Sequence, residues 1–122
     1  MGVEASARVV LVVEDEALVR AAIAEEFRSF GWHVLEAATG EQAVALAAHA
    51  HIDIILTDIQ LAGIMSGWDT ADALRASIPG MPVLYTSGNA CQPERQVVGS
   101  LFIAKPYEPG SIIEACHNLV RA

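Results

Sequence analysis

Short apolar runs alternate with segments of helical period along the chain. The runs are rich in β-branched or aromatic residues and cover residues 9–13, 52–56, 83–85 and 101–104, with a weaker run at 33–36. Such runs are typical of strands buried on both faces of a parallel sheet. The segments between them predict helices over residues 17–30, 41–48, 68–78 and 109–120. The pattern therefore predicts a doubly wound α/β fold in which a strand followed by a helix is repeated five times.

Size and charge restrict the class of protein further. With 122 residues, of which 53% are hydrophobic, the chain can bury a core without disulfides, and we expect a single domain over residues 1–122. Cys91 and Cys116 are expected to be free thiols in the cytoplasm, because no signal-like segment or membrane-length apolar run is present. A net charge of −8 with a single lysine, Lys105, argues against nucleic-acid binding but leaves a protein partner open.

Polar residues follow the predicted strands at the points where they end. Ligands of parallel α/β sheets bind outside the carboxyl ends of the strands, near the point where strand order reverses. Glu14, Asp15 and Asp58 would meet there with Ser87 and Lys105. Three carboxylates predict a hard divalent cation, for which Mg²⁺ fits best, and the hydroxyl and the ammonium predict an adjacent anion. A phosphoryl group is the anion that such a site would serve.

Four short motifs, in this order and spacing, resemble those of the receiver domain of two-component response regulators. They are Glu14-Asp15, Thr57-Asp58-Ile59, Thr86-Ser87-Gly88 and Lys105-Pro106-Tyr107. Each motif is weak alone, but the ordered set is specific and spans the chain from about Arg8 to its end. The resemblance implies a five-stranded flavodoxin-like sheet of strand order 2-1-3-4-5.

The resemblance also implies roles for individual residues. Asp58 would accept a phosphoryl group from a sensor histidine kinase or a phosphotransfer protein. Mg²⁺ would be held by Glu14, Asp15, Asp58 and the main-chain carbonyl of Gln60. Lys105 and Ser87 would contact the phosphoryl oxygens, and Phe102 occupies the aromatic switch position of the family. The protein would signal to a downstream partner by a conformational change, as a phosphoryl acceptor rather than a turnover enzyme.

Two alternatives come from other classes of protein. A small flavodoxin-like phosphatase would use Asp58 as a nucleophile on a diffusible substrate, but it would need a second acid where Gln60 stands. A docking module that is never phosphorylated would be expected to have lost the acids or Lys105, and all of them are present.

Several residues also have a plain structural interpretation. Glu14, Asp15 and Glu16 could cap the first helix, and we expect Asp15 to cap it as well as bind metal. Thr86 is a rival for the role of Ser87. The cluster His49, His51 and Asp53 superficially resembles a metal site, but it lies at a strand entrance and is expected to bind no metal. Trp32, Trp68 and Cys116 are expected in the core, and Cys91 in a loop.

Helix faces and loop lengths give further expectations. Leu18, Ile23 and Phe27 are predicted to share the buried face of the first helix, which Gly31 would close. The loop 60–67 is one residue longer than the commonest form of the family and carries Ala62 where proline is usual. Only 17 residues separate Ser87 from Lys105, so the fourth helix is expected to be short or poorly formed.

Overall fold

A computed structural model describes residues 7–88 and 93–121 of the chain. Within them the strands are β1 (Val9–Val13), β2 (His33–Ala37), β3 (Ile54–Asp58), β4 (Val83–Ser87) and β5 (Leu101–Ala104). The helices of these described residues are α1 (Ala17–Ser29), α2 (Gly40–Ala47), α3 (Gly67–Ser77) and α4 (Pro109–Arg121), and a 3₁₀ turn covers Pro93–Arg95.

All strand pairs are parallel, and the sheet order is β2-β1-β3-β4-β5. The predicted fold class and strand order are therefore confirmed. Strand order reverses at β1, because the chain moves from β1 to β2 on one side and then to β3 on the other. The carboxyl ends of β1 and β3 consequently lie side by side at this reversal.

Two strands end later than their apolar runs predict. The third run was expected over residues 52–56, but β3 begins at Ile54, which pairs with Val10, and continues through Asp58. β4 continues beyond Tyr85 to Ser87, and all five of its residues are buried. Asp58 and Ser87 are thus the last residues of buried strands rather than loop residues, which restricts where their side chains can move.

The sheet separates two layers of core. Leu11, Ile55 and Tyr85 face α2 and α3, where the Trp68 ring lies 4.6 Å from the Tyr85 ring. The opposite layer packs against α1 and α4, and it contains Val10, Val12, Ile54, Leu56, Leu84 and Cys116. Trp32 belongs to this second layer and meets Phe27 edge to face at 5.2 Å. The core positions predicted for both tryptophans and Cys116 are confirmed.

Two expectations for α1 are wrong. Leu18 is 87% exposed, whereas Ile23 and Phe27 are buried. Five residues of α-helix rotate by about 140° beyond a full turn, so Leu18 lies away from the stripe that Ile23 and Phe27 form. The N-cap residue is Glu16 rather than Asp15, and it makes no side-chain capping hydrogen bond. Gly31 follows the helix with a φ of 89°, a left-handed conformation that favours glycine, as expected for a helix end.

Side-chain hydrogen bonds hold residues 93–100, the described part of the crossover that leads into β5. Within the described part of the crossover, the only helical segment is the 3₁₀ turn at Pro93–Arg95. This agrees with the expectation that the helix between the fourth and fifth strands is short or poorly formed. Arg75 of α3 donates from Nη2 to the Val98 carbonyl at 2.7 Å. The Tyr85 hydroxyl accepts a hydrogen bond from the Val97 amide at 3.2 Å. The crossover is therefore tied to α3 and β4.

Candidate functional site

Three carboxylates meet at the point where strand order reverses. Glu14 follows β1, Asp15 is the next residue, and Asp58 ends β3. One oxygen from each residue lies within 4.8 Å of the others. Glu14 and Asp58 are buried, with 2% and 8% of their surface exposed, whereas Asp15 is exposed. The acids that the sequence places at two strand ends are thus brought together, and their oxygens are the ligands that Mg²⁺ prefers.

Lys105 lies between the two buried acids. Its Nζ is 3.0 Å from Asp58 Oδ2 and 3.2 Å from Glu14 Oε1. The residue directly follows β5, and its amide donates to the Ser87 carbonyl at 2.8 Å. The peptide bond between Lys105 and Pro106 is cis. β4 and β5 therefore direct the only lysine of the chain towards the carboxylates of β1 and β3.

The electrostatics of this cluster favour an additional cation. Burial raises the pKa of Glu14, and the charge of Asp58 raises it further, although hydrogen bonds from the Glu16 amide and from Lys105 oppose the shift. Burial alone would lower the pKa of Lys105, but its hydrogen bond to Asp58 and the charges of Asp58 and Glu14 outweigh burial and raise it. One ammonium faces three carboxylates, so the ionised cluster remains negative. A divalent cation bound there would relieve the remaining repulsion.

The loop after Asp58 is fixed by backbone contacts that the sequence interpretation missed. The Gln60 amide donates to Asp58 Oδ1 at 3.2 Å, and the Gly67 amide donates to the Ile59 carbonyl at 2.7 Å. A Cβ at Gly67 would collide with the Asp58 carbonyl oxygen. The loop therefore needs glycine where α3 begins. The signal available in the sequence was Ser66 followed three residues later by Asp69, a capping box that marks this helix start.

The structure distinguishes Ser87 from Thr86 by the faces they occupy. Both residues are buried. Because successive side chains of a strand alternate, Ser87 lies on the Tyr85 face and Thr86 lies on the face of Leu84. Phe102 pairs in register with Tyr85 and packs against the core on that same face. This arrangement favours Ser87 over Thr86 as the neighbour of Phe102.

His51 and Asp53, from the histidine cluster, contact each other away from the acids. His51 Nε2 is 2.9 Å from Asp53 Oδ1, while Asp53 Oδ2 accepts a hydrogen bond from the Val9 amide at 2.8 Å. Asp53 thus secures the start of β1, at the end of the sheet opposite the acids.

Burial raises the pKa of the Cys116 thiol to about 12, and Cys91 lies outside the described residues. The metal contact of the Gln60 carbonyl stays a prediction.

A parallel sheet of order 2-1-3-4-5, with acids and a lysine at the carboxyl edge, defines the class of receiver domains. The family model of the response regulator receiver domain matches residues 10–117, and the chain belongs to this family. Its sequence is 29% identical over 116 residues to "Probable transcriptional regulatory protein TcrX" of Mycobacterium tuberculosis, covering 92% of this chain and 49% of that protein. It is 28% identical over 110 residues to "Autoinducer 1 sensor kinase/phosphatase LuxN" of Vibrio campbellii, covering 90% of this chain and 13% of LuxN.

Solved structures agree with this assignment. A response regulator receiver protein from Sinorhizobium medicae superposes with a TM-score of 0.90 at 29% identity, covering 96% of this chain and 97% of that one. The chain is therefore homologous to receiver domains found both in response regulators and in histidine kinases, and it spans half or less of the two curated relatives above. Over residues 7–88 and 93–121, the helices are too short or too polar to cross a bilayer.

Proposed function

We propose that this chain is a single receiver domain over residues 1–122 that accepts a phosphoryl group on Asp58. The donor would be a sensor histidine kinase or a phosphotransfer protein, and the modified chain would signal to a downstream protein partner. A cytoplasmic location is part of the proposal, supported by the family and by the free, buried thiol of Cys116.

The observation that carries the proposal is the position of Lys105 between Asp58 and Glu14, at 3.0 and 3.2 Å. A lysine that close to the acceptor carboxylate can move to the oxygens of an incoming phosphoryl group with a small displacement of Nζ. Preorganised charge of this kind stabilises a transferring phosphoryl group, for which positioning and neutralisation are the main catalytic tasks.

The three acids Glu14, Asp15 and Asp58 fit a magnesium ion. We expect the main-chain carbonyl of Gln60 to contact the ion as well. When bound, Mg²⁺ would neutralise the acids and the phosphoryl oxygens. A carboxylate oxygen of Asp58 attacks phosphorus, and the bond from phosphorus to the donor histidine nitrogen breaks. The electron pair of that bond returns to the imidazole. Any catalysis by the chain alone would be hydrolysis of its own acyl phosphate.

The test is incubation with acetyl phosphate followed by intact-mass measurement. The wild-type protein should gain one phosphoryl group in the presence of Mg²⁺, and Asp58→Ala should gain none. Lys105→Met removes the neutralising ammonium and should slow modification by at least tenfold. Full modification in the presence of a chelator, or of Asp58→Ala, would contradict the proposal.

We propose further that Ser87 and Phe102 transmit the modification. A phosphoryl group offers strong acceptor oxygens, which would draw the Ser87 hydroxyl towards Asp58 and leave room for Phe102 on the same face of the sheet. In Ser87→Ala, Asp58 should still be modified, but amide shifts over residues 93–102 should be strongly reduced. NMR spectra with a phosphoryl mimic and Mg²⁺ would check this. Shifts equal to those of wild type would mean that the signal leaves through another face.

A further inference from the structure

Arg20 of α1 reaches back to the turn that carries the acids. Its Nη1 donates to the Glu14 carbonyl at 2.8 Å, and its Nε lies 3.4 Å from Glu36 Oε1 on β2. The side chain is only 20% exposed. The guanidinium therefore joins the helix, the edge strand and the metal-binding turn, using two different nitrogens for two partners.

Glu36 itself is held from a second direction. Arg28 Nη2 lies 3.2 Å from Glu36 Oε2 and also donates to the Val34 carbonyl at 3.5 Å. Arg28 makes no such contact with the turn, and its side chain is 52% exposed. Glu36 thus contacts both arginines, and Arg20 is the one of the two that also reaches the turn carrying Glu14 and Asp15.

The backbone holds the turn from Glu14 to Glu16 at its two ends, because the Glu14 amide donates to the Ala37 carbonyl at 3.0 Å and the Glu16 carbonyl accepts from the Arg20 amide at 2.9 Å. Glu16 is the N-cap of α1 but makes no side-chain capping bond. The Glu16 amide donates to Glu14 Oε2 at 3.1 Å, and that contact occupies a carboxylate oxygen of a proposed metal ligand. The bond from Arg20 instead holds the main-chain carbonyl, so it orients the peptide between Glu14 and Asp15 without occupying an oxygen of either carboxylate.

We propose that Arg20 is a positioning residue for the metal site, fixing the peptide that presents Glu14 and Asp15, with Glu36 orienting its guanidinium. This inference rests on the proposed function, because it takes the acids to be ligands of Mg²⁺. Partners behind the direct ligands commonly change metal affinity by tenfold or more when they are removed.

A positioning role and a purely electrostatic role of Arg20 predict opposite changes in Mg²⁺ affinity when Arg20 is removed. Arg20 is a cation close to a cation site, so by Coulomb's law its removal should strengthen Mg²⁺ binding. If Arg20 instead orients the ligands, its removal should weaken binding although the site becomes more negative. The direction of the change in affinity therefore separates the two roles.

The experiment is calorimetric titration of MgCl₂ into the metal-free full chain. We expect Arg20→Met to bind Mg²⁺ about tenfold more weakly than wild type. Arg20→Lys keeps the charge but cannot reach the carbonyl and Glu36 with two nitrogens, so its affinity should be intermediate. Amide shifts of the metal-free Arg20→Met protein should change most at residues 14–16.

Arg28→Met is the matched control, because it removes the same charge from the same Glu36 without touching the turn. It should bind Mg²⁺ as tightly as wild type or slightly more tightly. Equal or tighter binding by Arg20→Met, or an equal loss in Arg28→Met, would overturn the inference. If Arg20→Met does not fold, wild-type affinity in Arg20→Lys would overturn it. Absence of Mg²⁺ binding in wild type would instead remove the proposed function itself.

Discussion

At the scale of single residues, the site is built from groups that are unfavourable alone. Burying a carboxylate such as Glu14 costs free energy unless a partner compensates, and Lys105 serves both Glu14 and Asp58. Gly67 contributes through its size, because its lack of a side chain allows α3 to begin directly against the Asp58 carbonyl. Gly67 thus lies against the backbone of Asp58, while Lys105 contacts its carboxylate.

Gly67→Ala tests this close approach. The added methyl group would collide with the Asp58 carbonyl and the Ile59 backbone, so we expect a loss of about 1–3 kcal/mol in the free energy of unfolding. Displacement of the Asp58 backbone should also slow its modification by acetyl phosphate. Denaturant unfolding and intact mass measure the two effects.

Gly110→Ala is the control for this substitution. Gly110 also lies in the first turn of a helix, but nothing surrounds the position where its Cβ would stand. The change should be neutral or stabilise the protein by up to about 1 kcal/mol, because alanine favours helix. A Gly67→Ala protein as stable as Gly110→Ala would show that the site tolerates the methyl group.

At the scale of elements, α3 links the loop after Asp58 to the described part of the crossover after β4. Its capping box joins Ser66 and Asp69 through two reciprocal hydrogen bonds of 3.0 and 3.1 Å. Arg95 of the crossover lies 3.3 Å from Asp69 Oδ1, and Arg75 in the last turn of α3 reaches the crossover backbone. Residues 93–100 of the crossover therefore take their position from α3, because the 3₁₀ turn Pro93–Arg95 is the only regular structure in this described part.

Asp69→Asn tests the capping box by its dependence on pH. Hydrogen bonds from the Ser66 amide, then from its side chain, and the nearby Arg95 hold the pKa of Asp69 below its ordinary value of 3.8. Stability from the ionised carboxylate is then fully present above that value and is lost as pH falls through the lower pKa of the folded state. Wild type should exceed Asp69→Asn in stability at pH 7, and the difference should vanish in acid.

Asp72→Asn provides the comparison for this prediction. Asp72 lies 3.9 Å from the same Arg95 but takes no part in the cap. Unfolding in urea from pH 2 to 7 should show a larger loss of stability at pH 7 for Asp69→Asn than for Asp72→Asn. Equal behaviour of the two variants would mean that charge near Arg95, rather than the cap, stabilises this end of α3.

At the scale of the whole molecule, metal binding and folding should be coupled. The acids come from β1 and β3, so the cluster exists only when the sheet is assembled. A ligand that binds the native state alone stabilises it by about 2.7 kcal/mol when its free concentration is 100 times its Kd. Mg²⁺ should therefore raise the melting temperature, and a chelator should reverse the effect.

Asp15→Asn should lose most of that response. Because Asp15 is exposed and contributes repulsion to the cluster, its metal-free variant should melt no lower than metal-free wild type. Glu16→Gln removes a neighbouring exposed acid outside the cluster and should keep the response to Mg²⁺. Differential scanning calorimetry with and without MgCl₂ would check all three proteins. A clearly less stable metal-free Asp15→Asn would contradict the arrangement of charges.

The sequence by itself determined that the chain forms a parallel sheet and that Glu14, Asp15, Asp58 and Lys105 meet at one edge of it. The order of the strands followed from the resemblance to the family. It could do so because buried parallel strands are continuous apolar runs, and residues at their carboxyl ends must share one edge of the sheet. These inferences need only local patterns and a rule of topology, so no knowledge of individual contacts was required.

Tertiary structure alone decided the contacts between distant segments. Leu18 is exposed because the packing of Ile23 and Phe27 sets the rotation of α1, which apolarity at one position does not reveal. β3 and β4 extend to Asp58 and Ser87 because neighbouring strands continue to pair with polar residues there. Packing also decides where a helix lies relative to a strand end. The contacts of Arg20 with Glu14 and Glu36 depend on that placement, and so does the close approach of Gly67 to Asp58. Even the pair Arg20 and Glu14, only six residues apart, meets through the angle at which α1 leaves β1, and that angle is set by packing against the sheet.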